Sequence, residues 1–493
     1  MNENGQSYKP IVPTKSANKL APEASAERME GRGMAKGNAS ERPINRAQQR
    51  RMVKEAIKRI GEAAKREPKG KLTTLMHHVY RVDNLREAYF GLKKNAAAGV
   101  DAITWRQYGE ELEKNLESLS VRLKRGSYRA PAVRRVYVPK ADGRLRGLGI
   151  PALEDKIVQS MVAKVLTAIW EPMFKEFSYG YRPGRSVHDA LDALAVGIEK
   201  RSINWVFEAD IMGFYDHLSH EWLLRMVEHR VGDKRITSLV RQWLKAGVME
   251  EGEWRSSEEG TPQGGIISSV LANIYLHHAL DEWVQQWRKR EARATVIVVR
   301  YADDFVVGFA RPDDAERFQQ ELRERMEKFT LKLHEGKTRL IEFGRNAAAN
   351  RKSRGESKPE TFNFLGFTHI CGKKRDGRFV VMRRTMRKRM QAKLKELKQE
   401  FRRRVHEPLK EQGAWISAVL RGYYQHNGIP YNSDAMDSFR YHVKRLWHRV
   451  LSRRSQKAKL KLERFERLTA HWLPKPRICH PYPDQRLSKR FAL

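Results

Sequence analysis

The chain has 493 residues, and 97 Lys and Arg against 59 Asp and Glu give it a formal charge of +38, which calls for a polyanionic partner, nucleic acid first among them. Hydrophobic residues make up 40% and include 11 Trp, so roughly three units of ~100–200 residues can each bury a core and wholesale disorder is excluded. The two cysteines, Cys371 and Cys479, exclude a disulfide-stapled fold and any zinc module needing paired CxxC ligands, and they fit a reducing cytoplasm.

The start, MNENGQSYKP, has no apolar core and does not read as a secretory signal. Residues 1–45, rich in Gly, Ser, Ala, Asn and Pro, read as a flexible arm. Met52, Val53, Ala56, Ile57 and Ile60 recur at helical spacing among cations, which predicts a helix over 46–66, either solvated or docked on RNA. From about 71 to 370 helical and extended segments mix. Ile157, Val158, Met161, Val162, Val165, Leu166 and Ile169 predict the buried face of a long helix. Residues 205–211 and 295–309 read as strands, the second as a hairpin, VIVVRYADDFVVGF, with carboxylates at its turn. Arg300, Asp303 and Asp304 interrupt that longest apolar stretch, so it cannot span a bilayer and no membrane partner is expected.

Beyond Met382 the pattern turns helical. Met386, Met390, Leu394, Leu397, Phe401 and Val405 form one stripe, and Met436, Phe439, Val443, Leu446 and Val450 another. Between Arg383 and Lys461 there are 22 Lys and Arg against 6 Asp and Glu, a net +16. The apolar stripes read as core and the basic faces as a phosphate-binding surface.

Tyr301-Ala302-Asp303-Asp304 is the sharpest feature. Adjacent carboxylates at the end of apolar strands repel each other and call for a cation; a structural Asp-Asp turn is the competing explanation. Upstream, the apolar strand in WVFEADIMGFYDHL delivers Asp210 into a turn. Asp210, Asp303 and Asp304 together would make an all-oxygen cage suited to Mg²⁺, and a pair of such ions about 4 Å apart can clamp an in-line phosphoryl displacement.

Asp210, GTPQGGIISSVLANIYLHHALD at 260–281, YADD, FTLKLHEGKT at 329–338 and FNFLGF at 362–367 follow one another in the order of the reverse transcriptase motifs. RRVYVPKADGRLRGLGIPALEDKIVQ at 134–159 and FSYGYRPGRSVHDAL at 177–191 narrow this. The chain resembles the group II intron-encoded reverse transcriptase/maturases from about Leu72 to near its C-terminus. The resemblance implies an α+β right-hand polymerase: a basic extension over 1–70, fingers and an RRM-like palm over 71–370, an all-helical thumb or maturase (X) domain over 371–475 and a tail over 476–493. RGYYQHNGI at 421–429 supports the thumb assignment over retron-type relatives.

It also implies roles. Asp210, Asp303 and Asp304 become the catalytic metal ligands for two Mg²⁺, with Mn²⁺ as substitute and the Ile211 carbonyl an extra donor. Lys140, Arg146, Tyr215, Gln263 and Lys337 would bind the dNTP, with Tyr215, where many relatives carry Phe, excluding a ribose 2′-hydroxyl. Gly264 and Gly265 would let the backbone approach substrate. Leu365, Gly366 and Phe367 would be the primer grip. Arg182, Arg185, Arg383, Arg384 and Arg387 would hold template or intron RNA. For the lone cations the competing explanation is a solvent-facing charge, and for FNFLGF a buried strand.

Implied partners are intron RNA, template RNA, DNA primer or target DNA and dNTPs, with a dimer allowed and a cytoplasmic location. PRICHPYPDQR holds one cysteine, so the zinc-stapled endonuclease of many relatives is not expected, nor metal binding by His471, Cys479 and His480. An RNA-binding maturase without polymerase activity and a domesticated reverse transcriptase in repair or phage defence are the alternatives.

Overall fold

Four antiparallel strands, Trp205–Ala209, Val296–Tyr301, Asp304–Phe309 and Arg339–Glu342, build the central sheet. Their order across the sheet is 296–301, 304–309, 205–209, 339–342, with helices separating the first strand from the second in sequence and Pro312–Glu327 separating the third from the fourth. This is the split β-α-β-β-α-β arrangement of an RRM-like palm. The protein is described as a computed structural model covering residues 46–139, 145–256, 259–261, 264–454 and 460–491. The arm expected over 1–45 lies outside the described residues.

Both faces of the sheet are buried, and alternation along each strand separates two cores. Phe207, Val298, Val307 and Phe309 face one core with the helix Leu153–Trp170; Val206, Val299 and Val306 face the other with Val187–Lys200. The seven apolar residues expected on the long helix are all fully buried. Arg46–Arg66 is helical as expected, and it packs Val53, Ile60 and Ala64 into the first core, so it is neither fully solvated nor dependent on RNA for its place.

Two further sheets flank the palm. Val133–Pro139 and Leu145–Ile150 form a hairpin extended by Val248–Glu250 and Glu253–Arg255. Phe362–Phe364, Phe367–Lys373 and Phe379–Thr385 form the third. The last strand runs past Met382, where helix was expected, because Val380 and Val381 are buried and Arg383 is anchored inside the protein.

The thumb helices Arg387–Arg403, Leu409–Asn427, Ser433–Leu451 and Leu462–Trp472 enclose a third core containing Leu397, Phe401, Leu420, Phe439, Val443 and Trp447. The segment read as a tail holds a helix, Pro483–Phe491, that returns to the palm: Arg486 pairs with Asp189 and Asp192 of Val187–Lys200, each at 2.8 Å. The chain is an α+β protein with a helical C-terminal region. No helix among the described residues is long and apolar enough to cross a membrane.

Candidate active site

The register of the palm sheet brings the three aspartates together. Ala209 lies opposite Phe305, so the next residue along, Asp210, faces Asp304 across strands that lie ~5 Å apart. Asp303 occupies the two-residue turn between Tyr301 and Asp304. Burial first, and then Asp210, push the Asp303 carboxyl above the usual carboxylate range, while Arg146 and Arg300 oppose the shift. Asp304 is exposed by surface area yet closely surrounded by protein atoms. Burial, then Asp303 and Asp210, raise it to about 7, against Arg389 and Lys337. Asp304 therefore feels both other carboxylates and Asp303 feels Asp210, and cations of the chain offset that repulsion only in part. Lys337 pairs directly with Asp210.

The turn is held from behind by a buried arginine. Arg300, fully buried, donates from Nε to Asp281 Oδ1 at 2.7 Å and from Nη2 to Asp281 Oδ2 at 2.5 Å. It also donates from Nη1 to Asn273 Oδ1 at 3.1 Å, from Nη2 to Ser178 Oγ at 2.7 Å, and from Nη1 to the Ala302 carbonyl at 2.9 Å, inside the catalytic turn. Asn273 Nδ2 in turn donates to the Gly180 carbonyl at 2.7 Å. Gly180 is needed there, since a Cβ would stand 2.3 Å from the Ala302 nitrogen. Such a charge is tolerable in the interior because its hydrogen bonds are made. Ala302 itself has a φ of 59°, a strained conformation for a residue with a Cβ. Sequence reasoning assigned no role to Arg300, Asp281, Asn273 or Ser178; the usable signal was a lone Arg inside an otherwise apolar strand, which must be paired if buried.

The other expected site residues divide. Arg146 lies exposed on Leu145–Ile150, and its charge reaches both Asp303 and Tyr215. The Tyr215 hydroxyl donates to that of Tyr181 at 3.4 Å, and burial raises its pKa well above the ordinary tyrosine value. Gly264 has a φ of 116° and lies close to the Gly149 carbonyl, where a Cβ would stand at 2.9 Å. Its close approach is therefore to the neighbouring hairpin. Lys140 and Gln263 lie outside the described residues.

Leu365 and Gly366, with φ of 49° and 93°, form a two-residue turn of the mirror-image hairpin kind between Phe364 and Phe367. Phe367 is fully buried, with its ring 5.7 Å from that of His426, so the expected primer-grip side chain there belongs to the core and Leu365 alone is at the tip. A Cβ on Gly366 would stand 2.5 Å from Arg389 Nη1. Arg389 was not expected at the site, because nothing separates it in sequence from its basic neighbours.

Two arginines expected on RNA are interior instead. Arg182 is buried, paired with Glu171 at 2.7 Å, and donates to the carbonyls of Lys175 and Ser178. Arg383 is buried and paired with Asp192 at 2.7 Å. Both serve packing, because a guanidinium with its donors committed inside the protein is not offered to phosphate. Arg185 is half-buried over the Tyr179 ring at 5.2 Å, and it donates to the Glu176 carbonyl at 2.5 Å. Arg384 and Arg387 are exposed, the former 3.2 Å from Asp434.

A family profile described as reverse transcriptase (RNA-dependent DNA polymerase) matches residues 138–369, which include all three aspartates. Protein YkfC of Escherichia coli is 33% identical over 288 residues, covering 52% of this chain and 75% of that protein. Group II intron-encoded protein LtrA of Lactococcus lactis is 36% identical over 219 residues, covering 44% of this chain and 36% of that protein. The chain belongs to the reverse transcriptase family. An uncharacterized 91 kDa protein in a cob intron of Schizosaccharomyces pombe is 40% identical to this reverse transcriptase over 152 residues, 31% of this chain and 18% of that protein. The reverse transcriptase thus spans three quarters of YkfC and about a third of LtrA. By family it is an RNA-directed DNA polymerase, working with divalent metal ions on an RNA template. The donor set fits such ions: three oxygen-only ligands, two of them held above their ordinary pKa by burial first and then by neighbouring carboxylates, a repulsion that a bound cation would relieve.

Proposed function

We propose that this reverse transcriptase copies intron RNA into DNA from dNTPs, and that it also binds its intron RNA as a maturase that assists splicing and retrohoming. The observation that carries the polymerase reading is the register that sets Asp210 opposite Asp304 with Asp303 in the adjoining turn. Asp210, Asp303 and Asp304 would hold two Mg²⁺, with Mn²⁺ as substitute; when bound, the ions supply Lewis acidity to the attacking 3′-hydroxyl and neutralise the leaving pyrophosphate.

The chain's own groups orient the reactants. Lys337, paired with Asp210, can turn its ammonium to the incoming triphosphate, and Arg146 approaches from the neighbouring hairpin; the family resemblance assigns Lys140 to the same triphosphate. The Tyr215 ring, beside Asp303 and Tyr181, forms a floor under the sugar where a 2′-hydroxyl would collide. The family resemblance assigns Gln263 to dNTP binding as well. Leu365 and Gly366 hold the primer strand. Arg185, Arg384 and Arg387, with the remaining basic faces of the thumb helices, bind template and intron RNA; target DNA and a second copy of the chain are further partners.

Primer extension on poly(rA)/oligo(dT) with Mg²⁺ tests the polymerase, and splicing of the flanking intron RNA tests the maturase. Template-dependent dTMP incorporation supports the first. Restored splicing with no incorporation would leave an RNA-binding maturase only.

A further inference from the structure

Away from the carboxylates, a histidine pair interrupts a long palm helix. Ser268–Leu276 continues through a π-helical turn, His277–Asp281, into Glu282–Arg290, and the Glu282 backbone N–H donates to the His277 carbonyl. An α-helix advances 100° per residue, so residues five apart fall on different faces. The wider π-turn brings i and i+5 onto one side, and such turns occur frequently at functional sites. Here it lets His277 and His278 both address the Glu282 carboxylate. His277 Nε2 is 3.6 Å from Glu282 Oε1, and His278 Nδ1 is 3.7 Å from Glu282 Oε2. One ligand atom from each of the three residues lies within 4.8 Å of the others.

The second observation is an unmet need. The His277 side chain is 0% exposed, yet neither of its ring nitrogens has a hydrogen-bond partner among the described residues, and His278 Nε2 also lacks one. A buried polar atom left unpaired is costly and asks for an explanation, an ion or a water among them.

We propose that His277, His278 and Glu282 form a transition-metal site of the Zn²⁺ class, separate from the three aspartates. Two imidazoles and a carboxylate suit Zn²⁺ at ~2.0–2.2 Å, with water in the fourth position. Tetrahedral ligands at that radius stand about 3.4 Å apart, close to the 3.6 and 3.7 Å separations already present. Solvent reaches the site from the Glu282 side, where that carboxylate is 41% exposed. Lys175 Nζ, 3.7 Å from Glu282 Oε1, is the cation the metal would replace. The neighbouring Asp281 grips Arg300, which in turn bonds the catalytic turn, so metal here stiffens the support of the active site without touching substrate.

Co²⁺ titration of the chelator-treated full chain in excess Mg²⁺, which occupies the aspartates, tests the site. One equivalent should bind with the visible absorption of a tetrahedral centre, yield to Zn²⁺, and raise the Tm. His278→Asn and Glu282→Gln, at partly exposed positions, should each weaken binding by at least ~10–100-fold with unchanged circular dichroism. Lys175→Met should tighten it, a readout independent of any variant that folds poorly. Binding at wild-type strength in His278→Asn and Glu282→Gln, or no bound equivalent in wild type and Lys175→Met alike, would overturn the site.

Discussion

Two tight hairpins carry residues of the proposed active site, and they are secured in opposite ways. Both turns are two residues long and both hold a non-glycine residue at positive φ, Ala302 at 59° and Leu365 at 49°. The Ala302-Asp303 turn rests on Arg300, a buried ion bound through Asp281, Asn273 and Ser178 to two other segments. The Leu365-Gly366 turn has glycine to absorb much of its bend, and is held by one backbone bond from Met386 to the Gly366 carbonyl, at the start of a thumb helix. The turn that must set carboxylates against each other is braced by a buried ion network; the one beside the thumb is tied by a single backbone bond to the start of a thumb helix.

Asp303→Ala should break the comparison most severely: a metal ligand is worth several kcal/mol of transition-state stabilisation, so incorporation falls by about 10³-fold or more in primer extension, with RNA affinity by filter binding nearly unchanged. Removing the brace acts on stability. Arg300→Met leaves Asp281 buried and unpaired and should cost ~3–5 kcal/mol in denaturant unfolding.

Gly180→Ala and Gly366→Ala sharpen the contrast between the turns. In the first, the new Cβ meets backbone at Ala302, and displacement of the catalytic turn by ~1 Å should lower kcat about 10²-fold. In the second, it meets the end of a flexible Arg389 side chain at a φ of 93°, and ~1–2 kcal/mol of stability is the expected loss, with kcat affected less.

The metal-free protein should carry a pH signature. Because the Asp303 and Asp304 carboxyls are raised in the folded state, that state binds more protons than the unfolded one between pH ~4 and the value of about 7 for Asp304. Stability therefore falls as pH rises through that window. Asp304→Asn should match wild type near pH 4 and exceed it in Tm at pH 8, and added Mg²⁺ should reverse the order by binding wild type. The smallest effect belongs to the exposed thumb cations: Arg387→Ala should reduce the salt slope of RNA binding by about one phosphate, ~0.7–0.9 in log–log units.

The palm was legible because its strands advertise themselves by β-branched residues and its aspartates by their place at strand ends. The helix over 153–170 was legible from its period, since all seven apolar residues point one way. What escaped depends on residues distant in sequence. Arg182 and Arg383 look like any surface arginine until Glu171 and Asp192 are brought against them. The brace of Arg300 joins residues 178, 273, 281 and 302, a set no local pattern connects. The π-turn at His277 interrupts a helix whose composition reads as uninterrupted.

The convergence of Asp210, Asp303 and Asp304 on divalent metal is tested most directly by Fe²⁺-dependent hydroxyl-radical cleavage of the purified chain. Cuts clustered near 210 and 303–304, suppressed by Mg²⁺ and lost in Asp303→Asn, are the predicted result. Cleavage at only one of these segments, or cuts that Mg²⁺ does not suppress, would contradict a shared metal site.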